Sequence, residues 1–105
     1  MATVNHYTYD YYEGGTLFAP GQTRSYFYGG PLGSSPSAPW FDWFRKAVVV
    51  AAQPFDATGQ TRTLFVEQVR HISVGPGKRY VAVTIRNTGT TATAIWYVTL
   101  GVISA

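Results

Sequence analysis

The chain contains no cysteine, which excludes a disulfide framework and any cysteine-based metal site. Charged residues are also scarce: they make up 12% of the 105 residues. Roughly a quarter is usual for a soluble domain. Thr, Ser, Gly and Tyr take the place of the missing charges. The sequence therefore predicts a neutral surface rich in hydrogen-bonding groups, which suits β-strands and contact with another molecule.

Long hydrophobic runs are missing as well. The longest, residues 47–52, has six residues, whereas a membrane-spanning helix needs about 20, so we expect no membrane insertion. The opening residues MATVNHYTYD have neither the basic nor the apolar region of a signal peptide. This pattern predicts a chain that stays in the cytoplasm or is released by lysis or a non-classical route, and the compartment stays open.

A dense basic stripe is absent too. The net charge is +3 and the pI is about 9.4, but no run of like charge exceeds two residues. Because nucleic-acid binding normally needs clustered Lys and Arg side chains, we do not expect a nucleic-acid partner.

Helical periodicity is almost absent from a chain of single-domain length, predicted to fold as one unit over residues 1–105. The one helical candidate, residues 40–47, runs directly into residues 48–50, three valines that prefer a strand. Short apolar segments between regularly spaced turns predict an all-β, antiparallel two-sheet sandwich, Ig-like or jelly-roll, of about seven strands. The predicted strands are residues 4–12, 16–19, 22–29, 44–53, 61–74, 78–87 and 91–104.

The segments 78–87 and 91–104 show the clearest strand pattern. Their apolar and polar residues alternate with a period of two, which places one side of each strand in the core. The side chains predicted to face inward are Val81, Val83, Ile85, Ala92, Ala94, Trp96, Val98, Leu100 and Val102.

A two-residue turn at Thr88-Gly89 would join these two segments as a hairpin. In the register that matches both faces, Val81 lies opposite Trp96. A solvated sheet face normally carries Thr, Lys and Glu, so a partly apolar outer face predicts a partner site. The outer-face pairs of this predicted hairpin are Tyr80 with Tyr97, Ala82 with Ile95, Thr84 with Thr93 and Arg86 with Thr91.

The predicted strand 61–74 is less regular, because its apolar side chains change parity along the segment. Leu64 and Val66 lie on one face, whereas Val69 lies on the other. A β-bulge, or a switch between the two sheets near Val69, would reconcile the two sets.

Residues 29–40 are mostly Gly, Ser and Pro, so no core element is predicted there. Loops of this length are either functional or mobile. We interpret this one as a mobile crossover, with a functional loop as the alternative.

Residues 79–93 read RYVAVTIRNTGTTAT, a strand followed by an Asn-x-Gly turn and the start of a second strand. This segment resembles the strand–turn–strand signature of immunoglobulin-like modules of the bacterial cell-adhesion-related type. The resemblance implies an Ig-like sandwich and a non-enzymatic role in molecular contact.

Catalytic and metal-binding patterns are missing from the sequence. His6 and His71 are the only histidines and lie on separate predicted strands, with no zinc-site spacing. Asp10 and Glu13 do not form a calcium loop, and no Gly-x-Ser-x-Gly elbow is present. We therefore predict a chain that is not an enzyme and uses no cofactor and no metal.

Aromatic residues are the strongest positive signal, at 16% of the chain. A core of this size cannot hold all of them, so part of the set is predicted to lie at the surface. Tyr and Trp are favoured in protein interfaces, and aromatic rings beside acids and amides also bind sugars. The candidate residues for contact with a partner or a glycan are Tyr80, Tyr97, Ile95, Tyr9, Tyr12, Trp40, Trp43 and Tyr28.

Two functions remain open from the sequence. The first is a self-associating structural or adhesive subunit, a homo-oligomer or part of a larger assembly, in which the long N-terminal strand could pair with a neighbour's edge. The second is a small lectin that binds glycans through the Tyr- and Trp-rich surface.

Overall fold

The computed structural model describes residues 3–12, 17–29, 43, 45–55, 61–73, 75 and 79–104. Within these ranges the chain forms six β-strands and no helix, and so contains no helix that could cross a bilayer. The strands are β1 (Thr3–Tyr12), β2 (Thr23–Tyr28), β3 (Lys46–Pro54), β4 (Leu64–Ser73), β5 (Arg79–Asn87) and β6 (Ile95–Ser104).

The six strands make two antiparallel sheets of three strands each. Sheet 1 has the order β1-β6-β3 and sheet 2 the order β2-β5-β4. The predicted all-β class with two antiparallel sheets is therefore confirmed, although the described ranges hold six strands and not seven.

The predicted strand 16–19 is wrong in its described part, residues 17–19. Phe18 makes a single bridge with Thr93, in which each backbone N–H donates to the other residue's carbonyl at 2.8 and 3.0 Å. The segment ends at once in a turn, because Gly21 has a φ of 82° and the Gln22 N–H donates to the Ala19 carbonyl. A bridge of this kind anchors the fully buried Phe18 ring without extending a sheet.

The predicted hairpin between β5 and β6 is also wrong. The two strands are the central strands of opposite sheets, so Val81 lies opposite Tyr28 and His71, and not opposite Trp96. The predicted inward faces are correct for the strands themselves, since Val81 and Trp96 are fully buried. Ala94 is exposed because β6 begins at Ile95 and the residues before it form a crossover between the sheets.

The Asn87 side chain explains why the chain crosses over instead of turning back. Its Oδ1 accepts the Gly89 N–H at 2.9 Å, and its Nδ2 donates to the carbonyls of Phe18 and Thr91 at 2.8 and 3.1 Å. Side-chain amides that bond the backbone two residues later are typical of such turns. The Asn-x-Gly sequence therefore directs the chain from sheet 2 into sheet 1.

The two sheets pack face to face through aromatic side chains of β1 and β2. The Tyr9 and Tyr28 rings stack at 5.2 Å, and the Tyr11 and Tyr26 rings at 4.0 Å. Trp96 in β6 donates its indole N–H to the Tyr26 hydroxyl at 2.8 Å. The core cluster comprises Tyr9, Phe18, Tyr28, Trp43, Val81, Val83, Ile85, Trp96, Val98, Leu100 and Val102.

The irregularity predicted near Val69 is a β-bulge at Glu67. The register with β5 shifts between Val66 and Gln68, which changes the parity of the inward side chains along β4. Glu67 then forms a salt bridge with Arg86 on the neighbouring strand β5, with 2.9 Å between the Arg86 Nε and the Glu67 Oε2.

The predicted crossover at residues 29–40 lies outside the described residues except for Gly29, which has a φ of 82°. The predicted strand 44–53 corresponds to β3. It begins after Arg45, whose φ of 57° lies in the left-handed region.

Candidate interaction surface

Three of the aromatic residues predicted from the sequence for partner contact lie in the core. Tyr9, Tyr28 and Trp43 are 7%, 0% and 3% exposed. The Trp43 indole N–H donates to the Tyr28 carbonyl at 2.8 Å. In this structure these rings fill the space between the sheets and offer no open ring face to a sugar or a protein.

The predicted Tyr80–Tyr97 patch does not form, because the two residues lie on opposite sides of the molecule. Tyr80 is on the outer face of sheet 2, where its ring meets Phe27 edge-to-face at 5.7 Å. Tyr97 is on the outer face of sheet 1, where its ring meets Phe55 at 6.4 Å. Ile95 follows the parity of Tyr97 on β6 and is partly buried.

Two further candidates cannot be placed as side chains. The backbone of Tyr12 ends β1 opposite Ile95, but its side chain lies outside the described part of the structure. Trp40 lies outside it entirely. The sequence-based candidates are thus divided among the core, both outer faces and segments that are not described.

The outer face of sheet 1 is a candidate contact surface that was not predicted from the sequence. Val4, Val49 and Phe55 are 54%, 64% and 44% exposed there. The strand registers bring side chains of all three strands into rows across this face. From one end of the face to the other, the rows are Val4–Ile103–Ala47, His6–Gly101–Val49, Thr8–Thr99–Ala51 and Asp10–Tyr97–Gln53.

This face is almost uncharged. Among its described side chains, only His6, Asp10 and Tyr97 are ionisable. Gly101 lies at its centre, where an added Cβ would be 3.6 Å from the His6 imidazole and 3.8 Å from the Val49 carbonyl oxygen. An exposed apolar and uncharged sheet face is typical of a contact surface. To find this surface from the sequence, one would have to know that β6 pairs with β1 on one side and with β3 on the other.

Strand β1 also offers an open edge. It is the outermost strand of sheet 1, and no strand within the described ranges pairs with its other side. It is ten residues long, contains neither Pro nor Lys, and keeps one continuous register with β6. Soluble proteins usually protect such edges with charges, proline or bulges, because an open edge can pair with another chain.

The outer face of sheet 2 is more polar. Arg86 bonds the Glu67 carboxylate with two N–H groups and donates a third to the Gly21 carbonyl at 3.0 Å. The hydrogen bonds to the Glu67 carboxylate and its charge raise the pKa of the Arg86 guanidinium. Phe27 and Tyr80 form one apolar part of this face, and Phe65, which lies opposite Arg86, is 56% exposed on it.

A shallow depression lies at one end of sheet 2. Its volume is about 90 Å³, whereas ligand sites usually have about 300–1,000 Å³. Its described lining residues are Trp43, His71, Ile72, Ser73, Arg79 and Tyr80.

The buried tyrosine hydroxyls are held in their neutral form. Burial raises the pKa of Tyr9 to about 12, with smaller contributions from Tyr11 and Tyr7. The Tyr11 and Tyr28 hydroxyls lie 2.6 Å apart, and burial raises the pKa of both groups. These phenols are therefore protonated at neutral pH.

Among the residues that the structure describes, the candidate contact surfaces are the outer face of sheet 1, the open edge of β1 and the apolar side chains Phe27, Tyr80 and Phe65 on sheet 2. Within the described residues, no three His, Asp or Glu side chains lie close enough together to hold a metal ion. No protein-family model, no curated protein and no solved structure matches the chain. Its function is therefore inferred from these surfaces alone.

Proposed function

We propose that the chain is a non-catalytic subunit that associates with further copies of itself, as a structural or adhesive component of a larger assembly. The observation that supports this most directly is the exposed, nearly uncharged outer face of sheet 1. The open edge of β1 adds a second means of contact in the same sheet. Both features are unfavourable in an isolated subunit and favourable in an assembly.

Covering this face in an assembly would contribute favourably to the free energy of association. Fully burying a Val or Phe side chain contributes about 1.5–3 kcal/mol. Val4, Val49 and Phe55 are each close to half exposed, so covering them would contribute about half of that value per residue. The scarcity of charges keeps the desolvation cost of the face low.

An adhesive role follows from the likeness of residues 79–93 to bacterial Ig-like modules, and we retain it as part of this proposal. The segment comprises β5 and the first part of the crossover to β6. Its place in a six-stranded, two-sheet fold is compatible with an Ig-like sandwich.

The proposal is tested by sedimentation velocity over a wide range of protein concentrations. We expect the weight-average mass to rise with concentration. The substitution Val49→Thr removes apolar area from the outer face and should weaken association on the order of tenfold. The matched control is Val69→Thr at another exposed valine, in sheet 2, and it should leave association unchanged. A monomer at every concentration would contradict the proposal.

Glycan binding is the second candidate, and the position of Tyr80 favours it. The Tyr80 ring is partly exposed, borders the shallow depression and lies near the polar side chains of Ser73 and Arg79. A glycan array with the purified chain tests this function. If a sugar binds, Tyr80→Ala should abolish binding and Phe65→Ala, at an exposed ring elsewhere in sheet 2, should not.

A further inference from the structure

The β1 strands of two copies can form one specific antiparallel pair. We propose that the chain dimerises about a two-fold axis at Thr8, so that Thr8 of one copy lies opposite Thr8 of the second copy. This inference deepens the proposed self-association and rests on it. It names the contacting strand, the symmetry and the register.

Strand β1 is regular along its whole length. Its register with β6 runs without a shift from Thr3 opposite Ser104 to Tyr12 opposite Ile95. The outer edge of β1 is therefore equally regular, and alternate residues direct their N–H and C=O groups away from the sheet. An antiparallel partner strand would satisfy these groups.

The alternation of side chains between the two faces of β1 limits the registers in which two copies of this strand can pair. Residues directly opposite each other in an antiparallel pair point to the same face of the sheet. In β1 the even-numbered residues point outward and the odd-numbered tyrosines, such as Tyr9, point to the core. When two β1 strands pair about a two-fold axis, the numbers of any two facing residues add up to the same sum. Because even-numbered residues face even-numbered residues, this sum must be even. The axis therefore passes through a residue and not between two residues.

His6 and Asp10 are a hydrogen-bond donor and acceptor on the same face of β1, and one register brings them together. When the sum is 16, His6 of each copy faces Asp10 of the other copy, so the interface contains two His6–Asp10 pairs. Sums of 14 and 18 place His6 opposite Thr8 and Tyr12 respectively. Sums of 12 and 20 place His6 or Asp10 opposite itself. Only the register centred on Thr8 pairs the two groups, and it keeps residues 4–12 in the ladder.

The result of this pairing is a six-stranded sheet of order β3-β6-β1-β1-β6-β3 that is closed by the two-fold axis. Two outer faces of sheet 1 then lie side by side and form one larger, nearly uncharged surface. A heterologous pair of β1 with β3 of the next copy would instead give a ring or an open fibre. It would not match His6 with Asp10.

Cysteine cross-linking tests the register, because the chain has no cysteine of its own. Facing residues in an antiparallel ladder have Cα atoms about 4.5–5.5 Å apart, within the range of about 4.4–6.8 Å that a disulfide requires. We expect Thr8→Cys to give a covalent dimer under mild oxidation. His6→Cys and Asp10→Cys should each stay uncross-linked alone and form a mixed dimer when combined.

A charge exchange provides a second measurement that does not depend on oxidation. His6→Asp places two pairs of like charges at the interface and should weaken dimerisation about tenfold. The double variant His6→Asp/Asp10→Lys places opposite charges at the same two positions and should recover most of the affinity. Circular dichroism of each variant shows whether the β-fold is kept.

The outcomes separate this inference from the proposed function. Association without a Thr8→Cys cross-link, or with a cross-link from His6→Cys alone, would overturn the Thr8 register and leave self-association standing. A chain that sediments as a monomer at every concentration would overturn both.

Discussion

At the scale of single residues, Asn87 holds together segments that are distant in sequence. It is 1% exposed, and its amide bonds backbone groups of Phe18, Gly89 and Thr91. Its own backbone N–H and C=O bond Gln22 and Gly21. A buried polar group with all its hydrogen bonds made fixes the geometry of the crossover.

Asn87→Ala should lower the free energy of unfolding by about 2–4 kcal/mol, because it leaves buried backbone groups without partners. Asn87→Asp is the graded control, since it keeps the acceptor for the Gly89 N–H and loses the donor to the Phe18 carbonyl. Urea unfolding followed by Trp fluorescence measures both changes. A loss under about 0.5 kcal/mol for Asn87→Ala would contradict this role.

The Tyr9 hydroxyl is the opposite case. It is buried and has no hydrogen-bond partner among the described residues, so Tyr9→Phe should leave stability unchanged or raise it by up to about 1 kcal/mol. Tyr28→Phe is the matched comparison, because the Tyr28 hydroxyl bonds Tyr11 at 2.6 Å, and it should be destabilising. Thermal and urea unfolding of the two variants distinguish these cases.

The same group makes stability depend on alkaline pH. The pKa of Tyr9 is raised from 10.0 to about 12 in the folded chain, so below about pH 10 both states are neutral and its contribution is complete. Between about pH 10 and 12 the unfolded chain loses the proton while the folded chain keeps it, and stability falls as pH rises. The urea midpoint should drop less steeply with pH in Tyr9→Phe than in the wild type. Equal slopes would contradict the assignment.

At the scale of strands, period-two alternation correctly predicted which side chains face the core. It predicted the inward faces of β5 and β6, and the parity change in β4 indicated the bulge at Glu67. Alternation defines a face and not a partner, so it could not show that β5 and β6 belong to different sheets. The Asn-x-Gly turn looks like a hairpin turn in sequence, and only the contacts of Asn87 with Phe18 make it a crossover.

The candidate surface was less predictable for a related reason. Tyr9, Tyr28 and Trp43 are amphipathic, and a sequence does not show whether such a ring lies in a core or at an interface. The outer face of sheet 1 combines residues from β1, β3 and β6, which are far apart in the chain. Its apolar character appears only when those strands are placed side by side.

Gly101 tests the outer face at the scale of the strand. A β-branched residue suits a strand better than glycine, and the space above Gly101 allows ordinary contacts. We expect Gly101→Thr to raise the free energy of unfolding by about 0.5–1 kcal/mol. We also expect it to weaken self-association through the outer face of sheet 1. Gly89→Thr is the control that should destabilise, because its Cβ would lie 3.0 Å from the Thr63 hydroxyl oxygen and 3.2 Å from the Thr63 nitrogen. Urea unfolding and sedimentation measure the two effects.

At the scale of the whole molecule, most strand pairs join distant parts of the chain. Only β4 and β5 are both consecutive and paired, whereas β1 pairs with β6 at the other end of the sequence. Long-range pairing requires closure of large loops before the contacts form. Sheet 1 is therefore complete only when β6 pairs with both β1 and β3.

We expect folding in the range of about milliseconds to seconds, as for other β-rich domains with non-local pairing. Stopped-flow dilution from urea, followed by fluorescence of the buried Trp96 and Trp43, measures this rate. A submillisecond phase that recovers the full signal would contradict the role of long-range pairing.

The pairing of β1 with β6 also determines how the molecule responds to force. Thr3 and Ser104 lie side by side at one end of sheet 1. A pulling force applied between these two residues would load only the backbone hydrogen bonds nearest to them. The hydrogen bonds between β1 and β6 would then break one after another along the strands. Tension would therefore separate β1 easily, and a neighbouring strand on the other edge of β1 would not prevent that opening. A tether of such subunits would carry load better through its lateral contacts than along its own chain.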